Sequence, residues 1–367
     1  MTRYGTNYDI NQLGVIADLG DGWEDIFGDL YAITIDATCD HDTWNWAPQA
    51  STATLDITLP KGNQYFGNVH LAPVMVQYQG VNLFKGTVRN VLATATPGLG
   101  VRHGQNDYRV SLECVSRMYD ISRRRLAHFS RPAEYGNDRL VAVMDELGLV
   151  ADTHYAYTEL THYTCGPTIE AFSGGALEYL NALSLSQHAR WYADTSTNLL
   201  VMRADTPEVT IEFDPDDPEK VDYNTAEYGY AEDEFLSRSV AILTRNEDVT
   251  HVSTHASPTH ISSQEYLVDV ANADVLEAWN TDMKLMISTP FMPLSLRTAD
   301  VVGVNWADVL LGSLAKVKLP YRETVSTVGI TGIRHESRPE RWMSELTFCD
   351  RRFLATEAQL AEIEDDE

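Results

Sequence analysis

From residue 31 onward, apolar and polar side chains alternate with a period of two. Tyr31, Ile33, Ile35 and Ala37 stand between polar or small neighbours. Ala53, Leu55, Ile57 and Leu59 alternate with Thr54, Asp56 and Thr58 until Pro60 and Gly62 end the run. Such alternation places one face on a core and the other in water, as in antiparallel sheets. Val74-Met75-Val76 leads through Gln79-Gly80 into Leu83-Phe84-Lys85-Gly86-Thr87-Val88, the pattern of a hairpin. Tyr108, Val110, Leu112 and Cys114 form another alternating strand. Strands this closely spaced predict a small barrel or sandwich.

A period near 3.6 appears later. Asn137 is placed to cap a helix carrying Leu140, Val141, Met144 and Leu147, with Gly148 at its exit. A second helix begins near Gly175, with Leu177, Leu180 and Leu183 along one side. The runs 189–193 and 199–203 flank Asp194-Thr195-Ser196-Thr197-Asn198 as a hairpin. Asn272 opens a third helix with the stripe Val275, Trp279, Met283 and Ile287. Strand-like runs at 239–243, 265–270, 309–319, 325–333 and 344–349 close the chain.

A chain of 367 residues is too long for one ordinary core. The predicted fold class is mainly β with α/β insertions: two antiparallel tube-like β-barrels, a mixed α/β unit and a small helical insertion. The first barrel takes residues 1–118, and the mixed unit with an acidic connector takes 119–236. The second barrel takes 237–355, with a strand-helix segment inserted near 262–298, and 356–367 form an acidic tail.

Charge changes the picture most. Fifty-four acids face 27 bases, for a net charge of −27, and only six of the bases are lysine. Such a surface repels nucleic acid unless a local basic face survives. Scarce lysine also resembles proteins that work in molar salt, where the Debye length shrinks to about 3 Å and self-repulsion costs little. An arginine-rich genome with an ordinary acidic surface gives the same composition. The charge is also segregated. Residues 2–60 carry ten acids and one base, 61–139 eleven bases and five acids, and 205–234 twelve acids and one lysine. This predicts distinct surfaces facing different neighbours. No apolar run approaches the roughly 18 to 20 residues that span a bilayer, and the N-terminus lacks the apolar stretch of a secretory signal, so no membrane insertion is expected.

Catalytic and metal patterns fail on spacing. The loop Gly98-Leu99-Gly100-Val101-Arg102-His103-Gly104 is followed by a strand, whereas a dinucleotide fingerprint needs a helix N-terminus. His251, His255 and His260 lie in a β-branched run broken by Pro258, which cannot present two ligands on one helical face. Counting from Asp214 as the first position of a calcium loop, Pro218 and Glu219 fall where a ligand and then glycine belong, so Asp214, Asp216, Asp217, Glu219 and Asp222 read as a solvated acidic loop. Arg123-Arg124-Arg125, with Arg117 and Arg131, lacks aromatic interleaving and suits the acidic surface of a neighbouring subunit. Cys39, Cys114, Cys165 and Cys349 are scattered and read as buried thiols. No catalytic residue, metal ligand or cofactor is assigned, no binding residue is identified, and the chain is expected to be no enzyme.

The order of elements resembles the tail hub proteins of tailed viruses, also called minor tail proteins, which share the fold of the contractile-phage baseplate hub. Leu83–Val88 with the long loop and strand 108–115 carry the first part of the likeness. Ser239–Asn246, the Ser262-Ser263 region and the helix near 272–287 carry the second. Thr327–His335 and Trp342–Phe348, joined through Arg338-Pro339, carry the third. The resemblance covers roughly residues 25–350 and implies a virion protein of the tail tip, assembled in the host cytoplasm. It implies a homotrimeric ring that joins tail tube to tip and gates or conducts DNA, with DNA present only in transit. The implied partners are the distal tail protein, the tape measure protein, the tail tube, and tip or fibre proteins. Some members of the family add a C-terminal peptidase or glycosidase domain. This chain ends at the hub, so lytic activity is not carried over. Two other readings stay open. One is a receptor- or carbohydrate-binding tail module floored by Tyr155, Tyr157, Tyr163, Trp191 and Tyr192. The other is a halophilic hydrolase whose catalytic acids are hidden among the 54.

Overall fold

The structure is a computed structural model. It describes residues 12–18, 22–25, 30–40, 47–59, 69–94, 108–158, 160–168, 172–205, 207–228, 238–245, 248–256, 263–287, 294–299, 304–319, 325–338 and 341–349. The first stretch holds β1 (Leu13–Asp18), β2 (Trp23–Asp25), β3 (Leu30–Asp40), β4 (Ala47–Pro48), β5 (Thr52–Leu59), β6 (Pro73–Tyr78), β7 (Val81–Thr94) and β8 (Tyr108–Val115). The middle holds α1 (Arg117–Ser122), β9 (Arg125–Phe129), β10 (Glu134–Tyr135), α2 (Gly136–Glu146), β11 (Tyr155–Thr158), β12 (Thr164–Cys165) and β13 (Phe172–Gly175). It continues with α3 (Ala176–Ser186), β14 (Arg190–Ala193), β15 (Leu200–Arg203), β16 (Val209–Phe213) and β17 (Thr225–Tyr228). The last stretch holds β18 (Arg238–Arg245), β19 (Asp248–Ala256), β20 (Ser263–Leu267), α4 (Ala273–Ile287) and β21 (Leu294–Thr298). The final three strands are β22 (Leu314–Lys318), β23 (Val325–Arg338) and β24 (Arg341–Cys349).

The protein is mainly β, dominated by one large sheet of 14 strands. Its main path runs β17-β21-β24-β23-β3-β5-β8-β7-β6-β1-β2, and every ladder along it is antiparallel. The alternation read from the sequence explains why. Ile33, Ile35 and Ala37 of β3 are buried, as are Ala53, Leu55 and Ile57 of β5, and Val110, Leu112 and Cys114 of β8. Tyr31, Leu59 and Tyr108 have side chains outside the described set.

The long strand β23 splices the two ends of the chain together. Along one side it pairs with β24; along the other it pairs with β22 over Val325–Gly329 and with β3 over Gly332–Ser337. A bulge at Ile330/Gly332 makes the switch. The sheet is strongly curved. Tyr78 of β6 and Trp342 of β24 stand six strand spacings apart along the path, roughly 29 Å if flat at ~4.8 Å per strand. Their ring centroids are 5.8 Å apart. Among the described residues no ladder joins the two ends of the path, so the closed barrels expected from the alternation are not seen there.

The middle segment is mixed α/β. The hairpin expected around 194–198 forms from β14 and β15, and β11 adds in parallel to β15. Asp194 Oδ1 accepts from the Ser196 and Thr197 amides, and the turn docks on the first stretch: Lys85 N donates to Thr195 O at 2.6 Å, Arg117 N to Asn198 Oδ1 at 2.7 Å. The three expected helices form, with differences at their ends. Tyr135, not Asn137, is the N-cap of α2, because Asn137 Oδ1 is used to accept from Leu160 N. Val143 is buried in α2 where Val141 is only partly so. Asn272 does cap α4, its Oδ1 accepting from Val275 N at 3.1 Å. The sequence reading missed the short α1, and the run 309–313 is a turn before β22. The acidic stretch enters the large sheet twice, as β16 beside β22 and β17 beside β21.

Candidate functional site

The residues singled out by spacing fall in different places. The loop 98–104 lies outside the described residues, as does His260. His251 and His255 lie on β19, their side chains outside the described set. Among the described residues no group of three His, Cys, Asp or Glu side chains is arranged to hold a metal ion, and no helix is long and apolar enough to cross a membrane. The acidic loop is held by the protein's own cations. Lys318 Nζ lies 3.3 Å from Asp214 and 3.1 Å from Asp216, and Lys220 pairs with Glu212. Cys39, Cys114 and Cys165 are buried and in no disulfide, while the Cys349 side chain lies outside the described set. Burial pushes the Cys114 thiol up, away from nucleophilic use. Tyr155, Tyr163, Trp191 and Tyr192 are buried and Tyr157 stacks on Tyr155, so these aromatics pack the core and do not floor an open site.

The surface that the fold does build is the solvent face of the large sheet. Strand register places Arg297 opposite Glu345, Glu345 opposite Arg334, and Arg334 opposite Asp36. The row alternates in sign across four strands, and Arg297 Nε lies 3.1 Å from Glu345. Partial burial raises the Asp36 carboxyl, Arg334 opposes the rise and Glu345 adds to it. Thr34 on β3 and, on the next strands, Thr52, Thr54, Asp56, Ser111 and Glu113 continue this face. Six carboxylates (Asp36, Asp56, Glu113, Glu227, Glu336 and Glu345) stand here with Arg297, Arg334 and, at the β23-β24 hairpin, Arg338 and Arg341. Spacing along the sequence gives no sign of this row, because its members are joined only by strand register and Asp36 comes from a strand nearly 300 residues before Arg334.

A second construction fixes the β20–α4 segment on the mixed unit. Arg139 is fully buried and spends every guanidinium N–H. Nε donates to Glu134 at 2.7 Å; Nη1 to the Tyr179 hydroxyl at 2.9 Å and Asp269 at 3.2 Å; Nη2 to the carbonyls of Pro132 and Gly166 at 2.9 and 2.7 Å. Burial alone would raise the Glu134 carboxyl, but hydrogen bonds from Arg131 and Arg139 outweigh it and hold it below the usual range. Nearby, His188 stacks on Trp279 of α4 with ring centroids 4.8 Å apart, and its Nε2 donates to Trp279 O. The Trp279 indole donates to Leu185 O, and the Tyr163 hydroxyl to Asp282. These are locks between segments. The partners of Arg139 lie up to 130 residues away, so the sequence carries no local signal for them.

Comparisons with known proteins agree with this architecture. No family model matches the sequence, and no curated protein is detectably similar to it. Solved structures are similar. A tail protein from Neisseria meningitidis MC58 superposes with a TM-score of 0.64 at 12% identity, covering 93% of this chain and 97% of the other. A 43 kDa tail protein of prophage MuSo2 from Shewanella oneidensis gives 0.63 at 10%, covering 92% and 98%. An E. coli component of the type VI secretion system, itself described as structurally similar to bacteriophage T4 tail proteins, gives 0.56 at 9%, covering 87% and 73%. What joins these chains is architecture: this protein has a phage tail-hub-like fold.

Proposed function

We propose that the chain is a structural protein of the tail tip of a tailed virus, a baseplate hub that works without catalysis. Three copies form a ring that joins the tail tube to the tip, closes the channel and conducts DNA after receptor contact. Each copy contributes two tube-like barrels, drawn from residues 1–118 and 237–355. The partners are further copies of itself, the distal tail protein, the tape measure protein, the tail tube, and tip or fibre proteins; the place is the virion tail tip.

The observation that carries this reading is the end-to-end likeness to phage tail proteins, which takes in 93% of this chain and 97% of the Neisseria protein. The curvature of the large sheet supports it, since a wall with one packed face and one polar face is what a tube requires. Gold-labelled antibody on purified virions tests it. Label at the tail tip is expected; label spread along the tail, or on the head, would overturn the reading.

A further inference from the structure

Two surface patches of opposite charge have no role in the constructions above. The first lies where α1 runs into β9. Arg123, Arg124 and Arg125 are exposed, and among the described residues no carboxylate pairs with any of them. Two of the three guanidinium groups are nonetheless held. Arg123 lies over the Tyr119 ring at 5.6 Å, and Arg124 donates to Leu147 O at the end of α2. Arg117 donates to the carbonyls of Thr153 and His154. Val150, 59% exposed, sits on this same turn, its amide held by His154 Nδ1.

The second patch is the loop Asp214-Pro215-Asp216-Asp217-Pro218-Glu219 after β16. It is built, not loose: Asp214 Oδ1 accepts from Asp216 N and Asp217 Oδ1 from Glu219 N, both at 2.9 Å. Glu212, Asp214, Asp216, Asp217, Glu219 and Asp222 outnumber the two lysines that reach them, Lys220 and Lys318. Val325, 49% exposed, stands opposite Lys318 across the β22-β23 ladder.

We propose that the Arg123–Arg125 corner of one copy docks on the Asp214–Glu219 loop of a second copy. A chain with net charge −27 repels its own copies on average, so a contact that pairs opposite signs is favoured over one that does not. These two patches offer that, and each has an exposed valine on a neighbouring segment, Val150 and Val325. Because the patches differ, the contact is head-to-tail and closes into a ring when the rotation permits. This deepens the hub reading and rests on it for the expectation that copies assemble.

Charge reversal on the full-length chain tests the contact, with sedimentation as the readout and far-UV circular dichroism as the control for folding. Arg123→Glu with Arg125→Glu is expected to weaken self-association about tenfold or more, as is Asp216→Arg with Glu219→Arg. Combining all four changes in one chain restores the attraction with its signs exchanged, and association is expected to return. Association of the wild-type chain is expected to weaken with salt. Pair variants that assemble like wild type would overturn the contact while leaving the hub reading standing, since that reading is tested by label on the virion. A four-fold variant no better than either pair, or a wild-type chain that stays monomeric, would also overturn it.

Discussion

Gly332 shows how one residue sets the geometry of the splice. It follows the bulge on β23, and a Cβ there would stand 2.2 Å from Thr347 Oγ1 and 3.4 Å from Thr38 Cγ2. Gly332→Ala is expected to cost roughly 1–3 kcal/mol by overpacking. Adding Thr347→Ala removes the nearest atom and is expected to recover part of the loss, as measured by urea unfolding. Protonation is a second lever at this scale. Burial lowers His188 to about 3, with its bond to Trp279 O opposing, and burial lowers His335 likewise. Each histidine is neutral in the fold but binds a proton near pH 6.5 when unfolded. Their contribution is therefore full above about pH 6.5 and is lost as pH falls towards 3. Between pH 7 and 5.5 the two together are expected to cost on the order of 2 kcal/mol. Denaturant midpoints across that range check it, and His335→Gln should flatten the slope if the variant folds.

Turns and caps decide the elements. The β6-β7 hairpin closes through Gln79 and Gly80, whose φ angles of 51° and 80° are those of a two-residue turn with both centres left-handed. Asn tolerates that region better than Gln, so Gln79→Asn is expected to raise stability by about 0.5 kcal/mol, read as a higher melting temperature. The Gln79-Gly80 pair made this hairpin legible from the sequence, and the period-two runs did the same for β3, β5, β6 and β8. Asn272 announced the start of α4 because a free cap side chain has one local use. Asn137 misled, since a partner 23 residues later claimed its side chain. Strands β16 and β17 were hidden in a stretch whose charge reads as loop; they are held by ladders to β22 and β21, about a hundred residues or less away. The candidate surface was less legible still. Which residues share a sheet face depends on register between distant strands, and nothing local fixes that.

For the whole molecule, the solvent face of the large sheet is expected to be the channel wall of the proposed ring, since its six carboxylates outnumber its four arginines and repel a polyanion on balance. In an assembled ring that face is expected to look into the channel, while the Arg117–Arg139 region meets protein. Replacing Thr54 and Glu113 on it with Arg is expected to slow DNA ejection from virions by several-fold without changing tail length. Unchanged ejection, or a ring with this face outward, would leave salt adaptation to explain the acidity. The ladder between β3 and β23 has another consequence, for the newborn chain. Gly332 pairs with Thr38, so the edge of β3 opposite β5 lacks its partner until nearly 300 further residues have left the ribosome. At roughly 5–20 residues per second that wait lasts on the order of 15–60 seconds, during which an apolar strand edge is open to strangers. So distant a pairing also slows closure of the sheet, which makes the interval between synthesis and folding the most aggregation-prone moment in the life of this protein.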